Sequence, residues 1–266
     1  MIEVIYIVRH AFRANWSVDP QTGVYTSSLG GTPTGIPTDP PLTSHGVTQS
    51  KELADYICTV EPPVERIYSS PFYRCLQTLN PTVEKLAKDG KVKGGIRIER
   101  GIGEFFGRAN FTHPTPPSLT HLTPHFSHLD QDYTSPSAHH PSSNGELIVE
   151  LHERVKKALD HIIQTLDEDP EQPRSVLLCT HAATMIAAGR VLTGKMPQNP
   201  DEDDFQCYTA GLSKFVRNGN GEWECVMNSD TSFLSGGAER GWHFNGEESF
   251  VDFSDTGMKG QEESKL

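Results

Sequence analysis

A chain of 266 residues suits one large α/β domain with a substantial core, but 19 prolines and 23 glycines beside 35% hydrophobic residues require long loops. The formal charge of −12 argues against binding DNA, RNA or an anionic membrane through bulk charge, so an anion would need a local cluster of arginine and histidine. No apolar run approaches the roughly 18 residues of a membrane span, and five scattered cysteines without a CxxC pair read as reduced intracellular thiols.

In chain order, residues 2–8 (IEVIYIV) are apolar with little alternation, the pattern of a strand buried on both faces of a parallel sheet. The run stops at Arg9-His10 and reads as a first strand, not a signal peptide. Residues 14–41, rich in Gly, Pro, Ser and Thr, read as a long loop. Thr43 or Ser44 can cap a helix running to Cys58, with Val47, Leu53, Ala54 and Ile57 on its apolar side. Residues 65–69 form a short strand, and residues 72–88 a helix that Pro81 should kink or restart. A further short strand is expected over residues 96–99.

Residues 107–144 are dense in Pro, Ser, Thr and His and lack periodicity, the mark of a lid or an insertion of low order. From Gly145 to Leu166, the residues Leu147, Leu151, Val155, Leu159, Ile162 and Leu166 fall at helical spacing. Residues 175–180 (SVLLCT) are a second fully buried strand, ending at His181, and residues 182–194 a small-residue helix stopped by Gly194. Residues 207–216 and 222–228 read as antiparallel strands around the turn Asn218-Gly219-Asn220-Gly221. The tail from Ser254 is polar and expected to be disordered, which leaves a single domain over residues 1–253.

This alternation predicts an α/β fold: a three-layer, doubly wound, mostly parallel sheet with helices on both faces and a loop-rich insertion near the active site. Ligands of such sheets bind beyond the carboxyl ends of the strands. Two buried strands ending in His10 and His181 therefore deliver two imidazoles to one sheet edge. Phosphoryl transfer to a side chain needs a nucleophile, cations around the phosphate oxygens and an acid for the leaving oxygen. His10 with Arg9, then Arg13, Arg74 near a helix start, His181 ahead of a helix N-terminus and Glu104 after a short strand supply those types. Each has a bland reading: a surface pair, a helix start, a capping carboxylate. Their joint occurrence in this order carries the weight.

The residues also resemble a known family. VRHA at 8–11, LTSHGVTQSKELADYI at 42–57, SSPFYRCLQT at 69–78, ERGIGEFF at 99–106 and CTHAATM at 179–185 resemble, in order, the sequence blocks of branch 1 of the histidine phosphatase (phosphoglycerate-mutase-like) superfamily. That resemblance implies that His10 attacks phosphorus and becomes a phosphohistidine. It implies that Arg9, Arg74 and His181 clamp the phosphate and that Glu104 protonates the leaving group, then activates water. Arg13 resembles the extra phosphate-binding arginine of the T-cell-signalling suppressor and ecdysteroid-phosphate phosphatase group. RHAFRANW at 9–16 and SDTSFLSGGAERGW at 229–242 resemble the histidine-phosphatase-like subunit of fungal transcription factor TFIIIC. Ala11 replaces the motif's glycine, where a methyl group either crowds the phosphate or is tolerated.

The expected function is metal-independent hydrolysis of a phosphomonoester, with no cofactor, and with a phosphorylated small molecule or phosphoprotein as substrate. No basic set for a carboxylate is evident, which favours phosphatase over mutase. Phe105, Phe106, Phe111 and Phe126 are expected to border the entrance and to suit apolar or aromatic bulk. Burial beside Phe105 and Phe106 should raise the pKa of Glu104, with the arginines opposing; those arginines should lower that of His10. No direct nucleic-acid or membrane contact is expected, and the location implied is the cytoplasm or nucleus. The rival reading is an interaction subunit of the TFIIIC type, with a protein partner and weak or no catalysis. Other chemistries fit poorly. None of the cysteines is followed by the arginine of the cysteine-phosphatase signature, so Cys75 and Cys179 read as core thiols. The insertion histidines His121, His125, His128, His139 and His140 lack the company of a metal site, and no P-loop is present.

Overall fold

Every residue of strand β1 (Val4–Arg9) is buried, and so is every residue of β6 (Ser175–Thr180). Alternation explains why both faces can be apolar. Ile5 and Ile7 pack on one side of the sheet against Leu151, Val155, Leu159 and Ile162 of helix α4 (Ile148–Asp167) and Ile186 and Ala187 of α5 (Ala182–Thr193). Val4, Tyr6 and Val8 pack on the other side against Leu53 and Ile57 of α1 (Ser44–Ile57) and Leu76, Leu79, Val83 and Leu86 of α2 (Tyr73–Lys88). The result is the three-layer sandwich that the sequence predicts. The structure, a computed structural model, describes residues 1–90, 94–246 and 248–250. The expected polar tail and the end of the domain at residue 253 lie outside them.

With β4 (Arg66–Ser69), β5 (Ile96–Ile98), β7 (Leu212–Arg217) and β8 (Trp223–Asp230), the sheet has the order β5-β4-β6-β1-β7-β8. The first four strands are parallel and β7 and β8 antiparallel. β1 and β6 are direct neighbours, with Arg9 opposite Thr180. His10 and His181 thus leave the sheet side by side, and the His10 N–H donates to the Thr180 carbonyl at 2.9 Å.

Several boundaries differ from expectation. Residues 14–41 hold a small hairpin, β2 (Trp16–Val18) paired with β3 (Tyr25–Ser27). Its turn needs Gly23, whose φ is +69° and where a Cβ would lie 2.6 Å from the Phe111 ring. Helix α2 runs through Pro81 without restarting, because Thr78, Leu79, Thr82 and Val83 keep one continuous buried face on either side of it. The first turn of α4 opens after Leu147, whose N–H donates to Glu150 Oε2 at 2.7 Å. Residues 207–211 are turn rather than strand: Ala210, at φ 55°, instead donates its N–H to the Arg9 carbonyl.

The segment 107–144 divides by location. Around the short helix α3 (Leu119–Leu122), Leu122, Phe126 and Leu129 sink into the core on the α2 side, and the chain beside Leu129 bridges to Ile96 at the sheet edge. Farther along, Tyr133 Oη and Ser135 Oγ donate to the fully buried Glu99 carboxylate at 2.5 and 2.8 Å, and His139 Nδ1 lies 3.2 Å from it. The remaining limbs, near residues 113–116 and 140–143, turn back towards Glu104.

Candidate active site

The short connection after β1 is pinned from several directions. The Ala11 N–H donates to Thr78 Oγ1 at 2.9 Å, and the Phe12 N–H to Gln49 Oε1 at 2.9 Å. The α1 N-terminus presses on it so closely that a Cβ on Gly46 would lie 2.0 Å from the Phe12 carbonyl oxygen. The surroundings of Ala11 bear on its replacement of glycine. It is fully buried, its φ is not among the positive ones, and its methyl packs with Leu42, Ala210 and Leu234. That methyl therefore belongs to a small apolar cluster, and the backbone here needs no glycine.

The sequence-derived residues converge. The His10 and His181 ring centroids are 5.4 Å apart at an interplanar angle of 65°. His10 Nδ1 lies 2.9 Å from the Ala11 carbonyl oxygen, which can only accept, so Nδ1 carries the proton and Nε2 keeps its lone pair. Burial foremost, then Arg74, His181, Arg9 and Arg13, hold His10 well below the usual histidine range. Arg74 is fully buried, with Nη1 donating to the Thr38 carbonyl at 2.9 Å and Asp39 Oδ1 at 3.2 Å. Its Nη2 lies 2.7 Å from Glu104 Oε2 and 3.1 Å from His181 Nδ1. Arg9 Nη1 donates to the Cys207 carbonyl at 2.6 Å and to the Arg240 carbonyl. Arg13 Nη1 donates to the Ala14 carbonyl at 2.8 Å, and its guanidinium stands 5.7 Å from the Trp16 ring centre. Burial first, then Arg74, push Arg13 down to about 9.

The Nε atoms of Arg9, Arg13 and Arg74 are buried and have no hydrogen-bond partner. Cations crowded together with unspent donors form an anion cradle. Arginine and histidine are thus clustered locally in a chain of net charge −12.

The acid side corrects one expectation. Burial pushes Glu104 up, but His181, Arg74 and His10 outweigh it and hold its carboxyl well below the usual carboxylate range. The neighbouring Phe105 turns away to pack on Phe244. Burial opposes charge on His181, yet Cys75 and Glu104 raise its pKa above the ordinary value. Each His181 ring nitrogen faces an oxygen: Glu104 Oε2 at 3.2 Å from Nδ1 and Ser70 Oγ at 2.7 Å from Nε2.

Sequence reasoning did not single out Ser70, Asp39, Thr78 or Arg240. All but Arg240 are short polar side chains that act on another residue's geometry, and Arg240 accepts from Arg9 through its carbonyl while its Nη1 donates to the Arg13 carbonyl at 2.9 Å. Ser70 and Thr78 sit inside the SSPFYRCLQT block and Arg240 inside SDTSFLSGGAERGW, the available signals. Cys75 is buried as expected, but its Sγ lies 3.6 Å from His181 Nε2. Of the four phenylalanines expected at the entrance, Phe106 lines the cavity beside Glu104, Phe111 packs on Tyr25 and His113, and Phe126 is core beside Tyr73. Among the described residues, the one group with metal-ligand spacing is His10, Glu104 and His181, whose donor atoms lie within 4.8 Å of one another. Three arginines around that group oppose a divalent cation.

Comparison with known proteins agrees with this geometry. Over 92% of its length the chain is 31% identical to the transcription factor tau 55 kDa subunit of Saccharomyces cerevisiae, of which it spans 59%. It is 30% identical over 64% of its length to the ecdysteroid-phosphate phosphatase of Drosophila melanogaster, spanning 22% of that protein. It is 30% identical over 60% of its length to human ubiquitin-associated and SH3 domain-containing protein A, spanning 24% of it. In fold it resembles the ecdysone phosphate phosphatase of Bombix mori, solved with tungstate, at a TM-score of 0.59 and 18% identity over 85% of this chain and 93% of that one. It also resembles the phosphoglycerate mutase of Bacillus anthracis, at a TM-score of 0.53 and 16% identity over 87% of this chain and 94% of that one. Residues 5–231 match the family described as histidine phosphatase superfamily (branch 1), and the chain belongs to that family.

Proposed function

We propose that the protein hydrolyses a phosphomonoester without a metal or other cofactor, through a phosphohistidine on His10. The observation that carries this reading is the neutral His10 imidazole, with Nε2 free, beside three arginines whose Nε atoms have no partner. Nε2 attacks phosphorus, the ester P–O bond breaks, and the leaving oxygen takes a proton from Glu104. Water then attacks phosphorus as Glu104 accepts its proton, the N–P bond breaks, and inorganic phosphate leaves with His10 restored. Arg9, Arg13, Arg74 and charged His181 hold the phosphate oxygens. The limbs of the insertion near 113–116 and 140–143 act as a cover over the leaving group. The substrate is a phosphorylated small molecule or phosphoprotein, and the protein works in the cytoplasm or nucleus.

Rapid quench with a labelled aryl phosphate tests this. An acid-labile, base-stable phosphoprotein should form in the burst and be missing from His10→Ala. Near-normal hydrolysis by that variant would remove the proposal.

A second reading is favoured by one observation, the similarity across nearly the whole chain to a transcription factor subunit. In it, the same domain serves as an interaction subunit of a transcription factor, binding a protein partner with weak or no catalysis. Retention of all six convergent groups supports the enzyme, since a scaffold has no use for buried cations with unspent donors.

A further inference from the structure

A cavity of about 170 Å³ opens beside Glu104, lined by Phe72, Phe106, Pro114 and Pro141. Arg100 lines it too. The Arg100 backbone is anchored, its N–H donating to Ser135 Oγ at 3.0 Å. Its side chain is not. Among the described residues the Arg100 guanidinium has no ion pair, and its Nε is buried without a partner. Other partly or fully buried arginines away from the phosphate cradle are matched: Arg66 with Asp169, Arg97 with Asp130, Arg154 with Glu146 and Arg190 with Asp204. A half-buried cation without a counter-charge is a candidate to meet an anion on the ligand.

We propose that this cavity receives a leaving group with a compact aromatic or apolar body and a second anionic group, a carboxylate or a second phosphate, which pairs with Arg100. The proposal rests on the reading that Glu104 hands its proton to the leaving oxygen, since that places the leaving group in the cavity Glu104 lines. Apolar walls of proline and phenylalanine take the body, and the planar guanidinium takes the anion by paired hydrogen bonds. His140, also on the cavity, is held below its usual value by burial and then by Arg100, which keeps it a neutral hydrogen-bonding group there.

The test compares meta-carboxyphenyl phosphate and meta-phenylene bisphosphate with neutral meta-carbamoylphenyl phosphate, in wild type and Arg100→Gln. Turnover is followed, and calorimetry measures binding of the matching non-hydrolysable benzylphosphonates. Wild type should prefer at least one anionic ester by about tenfold in kcat/KM, and Arg100→Gln should bring that ratio to about one. The two anionic arms show which group is taken. Equal rates in wild type, or a preference that survives in Arg100→Gln, would overturn the proposal. If no ester turns over but the phosphonates keep an Arg100-dependent preference, the phosphatase reading fails and the anion site stands.

Discussion

Arg74 Nη2 lies 2.7 Å from Glu104 Oε2, so the buried cation proposed to clamp a phosphate pairs with the carboxylate proposed to protonate the leaving group. An arriving phosphate oxygen competes with Glu104 for the same N–H. Once Arg74 turns to the phosphate, Glu104 loses its closest hydrogen-bond donor and gains an anionic neighbour, and both changes favour its protonated form. The proton-donating state of Glu104 is therefore expected to be created by substrate binding.

Glu104→Gln keeps the shape of the side chain but has no proton to give. Its kcat should fall about 10²–10⁴-fold on an alkyl phosphate, the usual size of general acid catalysis, and far less on para-nitrophenyl phosphate, whose leaving group needs no acid. Equal losses on both esters would take Glu104 out of the role.

The pH dependence follows from two depressed pKa values. In the proposed reaction His10 attacks as the neutral base, and its folded value lies well below 6.5, so it remains competent as pH falls through the ordinary histidine range. Glu104 is also depressed, so its acid form becomes more abundant as pH falls. Together they predict that kcat/KM for an alkyl phosphate rises as pH falls from about 7 to about 5, losing activity only when His10 protonates. A rate profile climbing above neutrality would contradict this assignment.

Ser70 Oγ, 2.7 Å from His181 Nε2, satisfies a buried imidazole N–H. Ser70→Ala should cost about 1–3 kcal/mol of stability, read as a lower Tm, because that N–H is left unpaired. It should also lower the His181 pKa in an NMR titration. An unchanged titration would mean that Ser70 only fills space.

Ala11→Gly tests whether the methyl group hinders the reaction. Loss of its buried contacts with Leu42, Ala210 and Leu234, together with the greater freedom of glycine when unfolded, should destabilise the protein by about 1–2 kcal/mol in urea unfolding. No gain in kcat/KM is expected. A severalfold gain would show that the methyl does crowd the phosphate.

In the proposed mechanism arginine supplies the charge stabilisation, so hydrolysis of an aryl phosphate should survive EDTA. Added Zn²⁺ should not activate, because the arginines around His10, Glu104 and His181 oppose a divalent cation among those donors. Activity abolished by chelation and restored by a divalent ion would replace this mechanism.

The layered α/β fold and the six convergent residues could be read from the chain because their signals are local and long enough. A strand buried on both faces leaves an unbroken apolar run, as in β1 and β6, and α4 repeats its apolar side chains over five turns' worth of spacing. The hairpin of Trp16–Val18 and Tyr25–Ser27 was not legible, since three residues are too few to display a period and its partners Phe106 and Phe111 come from far along the chain. Phe106 and Phe126 look alike in sequence, and only packing sends one to the cavity and the other to the core. Residue identity likewise leaves the direction of the Glu104 shift open, because burial and cations act in opposite senses. The outcome depends on the distances to Arg74 and His181, and Coulomb energy varies with separation, which the folded chain alone sets. The same holds for Arg100: its type is written in the sequence, but its lack of a counter-charge arises from which carboxylates the fold brings near and which it spends elsewhere.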